Sequence, residues 1–271
     1  DLPRVLRIVR GLLEKIMRES LGLVLASSLG LFLVVTLLTL ILPPMQSGIE
    51  QFTEQLPGLK GLLSGLVGVP VRNRLSAGML FGLVWVDPVV LAVFWGFEVY
   101  FCTRFPAAEV DNGTIDILLS WPLSRSAIYC CETAFCLLWG GVLLLSCWLG
   151  FALGSRWLDA PTQLLAARSG LVVLNLGAVY GAVAGLTLLV SAWSNRRARA
   201  MTLVLALLGA SYLLNFVNPL RQFSLLHYYQ PGRILLSGSL EPLSWLTLSG
   251  FGLACWLLGW WRVCRRDLCS S

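Results

Sequence analysis

The sequence predicts an all-α integral membrane protein with six transmembrane helices. Of its 271 residues, 57% are hydrophobic and 13% are charged, and the mean hydropathy is +0.78. This composition is far from that of a soluble domain. Several apolar runs reach the about 20 residues that a membrane-crossing helix needs, and none alternates like the about 10-residue strand of an outer-membrane barrel. We therefore expect one transmembrane domain over residues 1–271.

The first element is an amphipathic helix over residues 1–19. Its apolar residues recur at helical spacing on one face: Val5, Ile8, Val9, Leu12, Leu13 and Ile16. Most of its charged residues lie on the opposite face: Arg7, Arg10, Glu14 and Arg18. A basic helix with one apolar face is typical of an element that lies along the inner membrane surface. We expect this segment to form an interfacial elbow helix.

Six membrane spans follow the elbow helix. They are predicted at residues 20–42, 84–105, 127–153, 166–193, 200–217 and 244–262. The first apolar run is about 22 residues long, which exceeds the about 7 to 15 residues of a signal-peptide core, so we interpret it as a retained span. An even number of spans places both termini on the same side of the membrane.

The distribution of basic residues predicts the orientation of these spans. Thirteen of the twenty Lys and Arg residues fall on the side of the termini: Arg4, Arg7, Arg10, Lys15, Arg18, Arg104, Arg125, Arg196, Arg197, Arg199, Arg262, Arg265 and Arg266. Seven fall on the other side: Lys60, Arg72, Arg74, Arg156, Arg168, Arg221 and Arg233. Because cytoplasmic segments carry the excess of positive charge, we expect a cytoplasmic (inner) membrane protein with both termini in the cytoplasm.

The positions of the eight cysteines and of the basic residues argue against a metal centre and against nucleic-acid binding. No cysteine falls in a predicted outer loop, so reduced thiols are expected. A metal site formed by Cys130, Cys131, Cys264 and Cys269 is a weak alternative, because adjacent helical residues point about 100° apart and no C-x-x-C spacing occurs. The arginines lie at the ends of apolar runs and not with aromatics on one face, so nucleic acid is not an expected partner.

The loop at residues 106–126 is unusually polar, and it contains the sequence "EVDNGTIDILLSWPLSRS" at 109–126. Gly113 permits a turn, Pro122 ends a short helix, and Ser124 is placed to cap the third span. The helix between them has an apolar stripe at helical spacing: Ile115, Leu118 and Leu119. The loop is therefore either an interfacial helix buried in lipid headgroups or a docking element for a cytoplasmic partner.

The same loop resembles the type-2 ATP-binding-cassette (ABC) permeases. Members of that family carry an acidic residue, Gly-Thr, a Leu-rich helix and Pro-x-Ser-Arg after the second span, and "EVDNGTIDILLSWPLSR" has this order. The basic N-terminal helix, the six spans, "LVSAWSNRRARA" after the fourth span and "RRDL" after the sixth also stand where the family places similar features. The resemblance covers essentially the whole chain.

The resemblance implies a coupling helix at 109–120 that fits a groove in a cytoplasmic ATPase subunit. The residues that it assigns to this contact are Glu109, Asp111, Gly113, Thr114, Ile115, Asp116, Leu118, Leu119, Pro122 and Arg125. It further implies a dimer of permeases with one ATPase under each copy. The ATPase is expected to be a separate chain that holds ATP and Mg²⁺, because neither Lys15 nor Lys60, the only lysines, lies in a phosphate-binding loop.

Several polar residues fall within the predicted spans. Glu98 lies about 9 Å inside the cytoplasmic boundary at 1.5 Å per residue, where an ionised group must face protein or water. We interpret it either as a structurally paired acid or as a point on the translocation path. Asp87 is expected at the outer boundary, and Asn175 and Asn215 are expected to hydrogen-bond between helices.

Small and aromatic residues favour structural roles. Gly177, Gly181 and Gly185 recur every four residues and predict a helix-packing seam. His227 has aromatic neighbours on the predicted outer side, which favours an interfacial structural role. The eleven tryptophans, many near span ends, are typical of an aromatic belt at the lipid interface.

Two functional hypotheses follow. The first is a permease subunit that exports a substrate and catalyses no covalent chemistry itself. The second is an ATPase-driven scaffold or mechanical transmitter that acts on a periplasmic partner protein, a role implied by family members linked to metalloenzyme maturation or gliding. A membrane enzyme is a third and weaker hypothesis, because a hydrolase needs a positioned base and the single histidine is on the outer side.

Overall fold

The computed structural model of the protein describes residues 2–55, 61, 65, 67, 68, 77–120, 124–158 and 160–266. This part of the chain is helical and contains no strand. Its helices are α1 (Leu2–Ile41), α2 (Gln46–Gln55), α3 (Ala77–Val86), α4 (Pro88–Cys102), α5 (Glu109–Asp111), α6 (Ile115–Leu119), α7 (Arg125–Ser155), α8 (Ala160–Trp193), α9 (Arg197–Leu214), α10 (Pro231–Ser237) and α11 (Pro242–Arg265). A π-helical turn lies at Arg104–Ala108, and 3₁₀ turns lie at Asn218–Phe223 and Leu225–Tyr228.

Six stretches of helix are long and apolar enough to cross a membrane. They are Leu13–Ile41, Gly78–Cys102, Arg125–Ser155, Ala167–Trp193, Arg197–Leu214 and Pro242–Arg265. Each overlaps one predicted span, so the all-helical, six-span class is confirmed for the described residues. We call the end of the bundle that holds residues 104–120, 194–197 and 266 the loop end, and the opposite end the far end.

The elbow helix predicted at 1–19 and the first predicted span form one continuous helix of 40 residues, α1. One face of α1 is buried from the elbow region into the span: Ile16, Ser20, Val24, Leu31 and Val35. Residues at this spacing share a helical face. That face packs against α3, α4 and α7, so the helix has no break at Ser20 and its packed face begins inside the predicted elbow.

The second span is two helices joined at Asp87, not one helix beginning at residue 84. The Asp87 carboxylate caps α4 by accepting hydrogen bonds from the amides of Val89 at 2.9 Å and Val90 at 3.3 Å. α3 precedes Asp87, and the membrane-length stretch begins at Gly78. Asp87 therefore lies at the junction of two helices inside this apolar stretch, and its expected position at the outer boundary of the membrane stays a prediction. Helix α3 thus extends this stretch ahead of the predicted start at residue 84, and it packs on α10.

Helix α8 is at the centre of the bundle, where it packs against α4, α7, α9, α10 and α11. A Cβ added to Gly185 would lie 2.2 Å from the carbonyl oxygen of Gly252 in α11, so the two backbones touch there. A Cβ added to Gly181 would meet nothing within 4 Å, and one added to Gly177 would meet only Leu144 at 3.4 Å. The predicted seam is thus confirmed at Gly185, and Gly181 takes part in it through its carbonyl oxygen, which a Cβ added to Gly252 would approach to 2.6 Å.

Polar groups at the far end tie spans to the connecting segments. Asn175 donates to the carbonyl of Tyr228, and Asn215 donates to the carbonyl of Gly65, both at 3.4 Å. Each amide thus reaches backbone in helical conformation outside the spans, Tyr228 in a 3₁₀ turn and Gly65 in the segment before α3. The His227 ring packs edge-on against Tyr228, and burial followed by the nearby Arg221 charge lowers the pKa of His227.

Candidate functional site

Residues 104–120, which we call the loop segment, leave α4 through a buried turn. The Phe105–Pro106 peptide is cis, and Phe105, Pro106, Ala107 and Ala108 are buried. The Ser191 hydroxyl of α8 donates to the Phe105 carbonyl at 3.1 Å and accepts from the Ala107 amide at 3.3 Å. The first residues of the predicted loop 106–126 therefore lie inside the end of the bundle, because α8 supplies hydrogen bonds that replace water.

Two predicted contact acids hold the loop segment to the bundle. Lys15 of α1 pairs with Glu109 at 3.0 Å, and the other Glu109 oxygen accepts a hydrogen bond from Thr114. Asp111 accepts a hydrogen bond from the Arg197 amide, at the start of α9, at 3.1 Å. Glu109 is thus engaged within the chain, while Asp111 is exposed although its carboxylate is bonded.

Among the described side chains of the short helix α6, Ile115 and Ile117 point in opposite directions. Gly113 has φ +69°, a left-handed conformation that glycine adopts without strain, and this turn sets the direction of α6. Ile115 is fully buried, whereas Ile117 is 65% exposed. Residues two positions apart in a helix are separated by about 200° around its axis, so Ile115 and Ile117 lie on nearly opposite faces. Ile115 is therefore turned towards the bundle and Ile117 is an exposed apolar residue of α6, while the assignment of Ile115 to a partner contact stays a prediction.

Some predicted contact residues lie outside what the structure describes. The side chains of Leu118 and Leu119, and the whole of Pro122, are among them. Asp116 is exposed beside Ile117. The expected cap of the third span is confirmed, because the Ser124 hydroxyl accepts a hydrogen bond from the Ala127 amide at 3.1 Å.

The described contact of Arg125 lies within the chain. It is the first residue of α7, and its guanidinium donates to the Arg266 carbonyl after α11. Arg104, the first residue of the π-helical turn that follows α4, pairs with Glu19 of α1 at 2.5 Å. Both arginines therefore join elements at the loop end of the bundle.

Glu98 lies inside the bundle in a polar cluster that the sequence reading only partly found. It is fully buried, so it faces protein as expected at this depth, and neither carboxylate oxygen has a hydrogen-bond partner among the described residues. The free thiols of Cys102 and Cys136 are 3.1 Å apart, and the Tyr180 hydroxyl donates to the Cys136 carbonyl at 3.0 Å. A translocation path that includes Glu98 thus requires the spans around it to separate.

Glu132 is a second buried acid that the sequence analysis did not single out. It is 8% exposed, and one of its carboxylate oxygens has no partner among the described residues. It lies in α7, one helical turn from Cys136, near the charges of Arg104 and Lys15. Its position inside the predicted span 127–153 was the available signal, since an acid within a span usually has a functional or structural partner.

The far end carries a polar groove of about 270 Å³. Its lining includes Asn175, Tyr228, Gln230, Arg233, Ser239, Glu241 and Ser244. Arg233 pairs with Glu241 at 3.2 Å across it. This groove offers hydrogen-bonding groups of both kinds to a ligand or a partner protein.

Within the described residues, no group of three or more His, Cys, Asp or Glu side chains is arranged to hold a metal ion. Cys130 and Cys264 are exposed free thiols, and Cys131 is half-buried. Cys269 lies outside the described residues. The alternative metal site therefore gains no geometric support from the part of the chain that is described.

Comparison with known proteins found no match to a family model, to a curated protein or to a solved structure. The resemblance to type-2 ABC permeases therefore rests on the residues of this chain alone.

Proposed function

We propose that the chain is the membrane-spanning permease subunit of an ATP-binding-cassette transporter, which couples ATP hydrolysis by a separate cytoplasmic ATPase to substrate export across the cytoplasmic membrane. The observation that carries this proposal is the attachment of the loop segment to three spans. Glu109 holds it to α1, Ser191 holds it to α8, and Asp111 holds it to α9. A displacement of the segment therefore acts on several spans together.

The two faces of the loop segment support a docking role. Its inner face is apolar and closed, since Phe105, Val110 and Ile115 are buried against the bundle. Its outer face presents Ile117 beside the exposed Asp116. Protein interfaces combine apolar contact area with charged groups that set orientation. Such a face fits a soluble protein with a basic-rimmed apolar groove, which is the contact that the family resemblance implies for an ATPase.

A second permease copy completes the proposal. The described spans of one chain pack around a core filled with side chains, and Glu98 is enclosed within it. The outward faces of α1, α9 and α11 remain exposed to lipid or to another protein. We place the substrate path between two copies, as in a homodimer. ATP and Mg²⁺ belong to the partner ATPase, and this chain supplies no catalytic residue or cofactor.

One observation favours the second candidate function, an ATPase-driven transmitter that acts on a periplasmic protein. The far-end groove is polar and contains the Arg233–Glu241 pair. A protein partner that binds there would receive motion from the loop segment through the spans. An outer-side protein that co-purifies with the chain and ATPase, and is lost on substitution of Arg233, would favour this candidate over export.

The test of the main proposal is co-purification of ATP hydrolysis from the native membrane. The variant to test is Ile117→Asp, because Ile117 is exposed on the outer face of the loop segment. An unpaired charge buried in a contact costs several kcal/mol, about tenfold in affinity for each 1.4 kcal/mol. Wild type should carry a stoichiometric soluble ATPase through detergent extraction, and Ile117→Asp should be inserted and folded but lack it.

Two further variants serve as controls, one for the contact with the ATPase and one for the stability of the fold. Ile117→Val keeps an apolar side chain and should retain the ATPase. Ile115→Ala removes a buried side chain and should lower thermal stability, since such truncations cost about 2–5 kcal/mol. If Ile117→Asp keeps wild-type ATP hydrolysis, or if wild type carries no ATPase, the proposed function is wrong.

A further inference from the structure

Three helix ends form an apolar groove of about 480 Å³ at the loop end of the bundle. The helices are α8 and α11, which both end there, and α9, which begins there. The apolar lining consists of Leu189, Val190, Trp193, Ala200, Leu203, Leu258 and Trp261. Its volume lies in the about 300–1,000 Å³ range of small-molecule sites. These helices are long and apolar enough to span a membrane, and the apolar floor of the groove suits a hydrocarbon chain.

The mouth of the groove is basic. Arg199 lies on its lining and is exposed. The Arg262 guanidinium lies 5.0 Å from the centre of the Trp193 ring, and that of Arg265 lies 4.8 Å from the Trp261 ring. No ion pair to these three arginines is present among the described residues. The arginines and the two tryptophans therefore stand together where an apolar floor ends.

Two further observations indicate positive charge that is not neutralised within the described chain. The Nε of Arg262 is buried and has no hydrogen-bond partner there. Arg266 follows Arg262 by one helical turn, and burial and then the Arg262 charge lower the pKa of Arg266. An anion at the groove mouth would relieve this repulsion and would supply acceptors for the unused donors.

We propose that this groove binds an anionic phospholipid, with an acyl chain along the apolar floor and the phosphate at Arg199, Arg262 and Arg265. Guanidinium groups donate paired hydrogen bonds to phosphate oxygens. Tryptophans prefer the depth of the lipid headgroups, and basic pockets between spans recognise anionic headgroups. The site is independent of the proposed ATPase contact, because none of its residues belongs to the loop segment.

The test is a titration of the detergent-purified protein with phosphatidylglycerol and with phosphatidylcholine of identical acyl chains, read by native mass spectrometry. Wild type should bind phosphatidylglycerol in preference. The double variant Arg199→Gln/Arg265→Gln changes only exposed side chains, and it should weaken phosphatidylglycerol binding by about tenfold or more while phosphatidylcholine binding is unchanged. The control Arg156→Gln/Arg233→Gln removes the same charge at the far end and should bind like wild type.

A second measurement reports the acyl chain. Phosphatidylglycerol with brominated acyl chains should quench tryptophan fluorescence, and Trp193→Phe should remove part of that quenching. Glycerol phosphate should not compete at the concentrations at which the lipid binds; competition at equal concentration would identify a phosphate site without a chain and would overturn the lipid assignment. Equal loss of binding in both double variants, or no preference for phosphatidylglycerol in wild type, would also overturn it.

Discussion

Replacement of Gly185 by alanine tests the central packing of the fold. The added Cβ would stand 2.2 Å from the Gly252 carbonyl oxygen, whereas ordinary contacts begin at 3.4 Å. The obstacle is backbone of a long helix, so no side chain can rotate away. Helices α8 and α11 must move apart by about 1 Å, and overpacking of this kind costs about 1–3 kcal/mol.

Gly181→Ala is the matched control, because it makes the same chemical change one turn earlier in α8. Its Cβ would meet nothing within 4 Å. Both variants gain the same helix propensity, about 0.5–1 kcal/mol over glycine, so this gain cancels in their comparison. The difference between the two variants therefore isolates the contact with α11, and it should amount to about 1–3 kcal/mol.

The assay is thermal unfolding of both variants and wild type in one detergent. Gly185→Ala should melt several degrees below Gly181→Ala, at about 2–4 °C per kcal/mol for a chain of this size. Gly252→Ala, whose Cβ would lie 2.6 Å from the Gly181 carbonyl oxygen, should also lower the melting temperature. The double variant Gly185→Ala/Gly252→Ala should lose less stability than the two single variants lose together, because one separation of the helices accommodates both methyl groups. Equal melting of Gly185→Ala and Gly181→Ala would refute the close contact.

Three further predictions concern the two ends of the bundle. Ser191→Ala should speed limited proteolysis of the loop segment, because two buried backbone groups lose their partner at about 1–3 kcal/mol in total stability; Ser146→Ala, which bonds only within its own helix, should not. Burial lowers the pKa of His227, so the unfolded chain binds more protons and the melting temperature should fall as pH drops below about 6.5; His227→Gln should lack that component. A cysteine at position 233 should add one impermeant label on intact cells and one at position 116 should add none, and the reverse pattern would invert the predicted orientation.

The spans could be predicted from the sequence because they depend on local composition. A run of about 20 apolar residues is sufficient to indicate a membrane helix whatever it packs against. The stretches that the sequence misplaced depend on distant residues. The helix before Asp87 is apolar but short, and it is ordered by packing against α10, which is more than a hundred residues later in the chain. Periodicity contains no information about such a contact.

In the candidate site, too, local features could be predicted from the sequence and features that depend on distant contacts could not. The pattern at 109–126 correctly located the turn at Gly113 and the cap at Ser124. It did not determine which face of α6 meets the bundle, because apolar residues stand on both sides of that short helix. The choice between Ile115 and Ile117 follows from the buried entry of the chain at Phe105, and hence from the hydrogen bonds of Ser191, which lies 86 residues away.

That buried entry also connects the surface of the loop segment with the interior acids. Cys102 is the last residue of α4, and its thiol lies 3.1 Å from Cys136 in α7. Glu98 is one helical turn before Cys102, and no flexible linker intervenes between α4 and the buried turn. Under the proposed function, a force on Ile117 that shifts this turn along α8 must shift α4 against α7. Because both Glu98 carboxylate oxygens are buried without a hydrogen-bond partner among the described side chains, the acid gains contacts with water or substrate once the spans part.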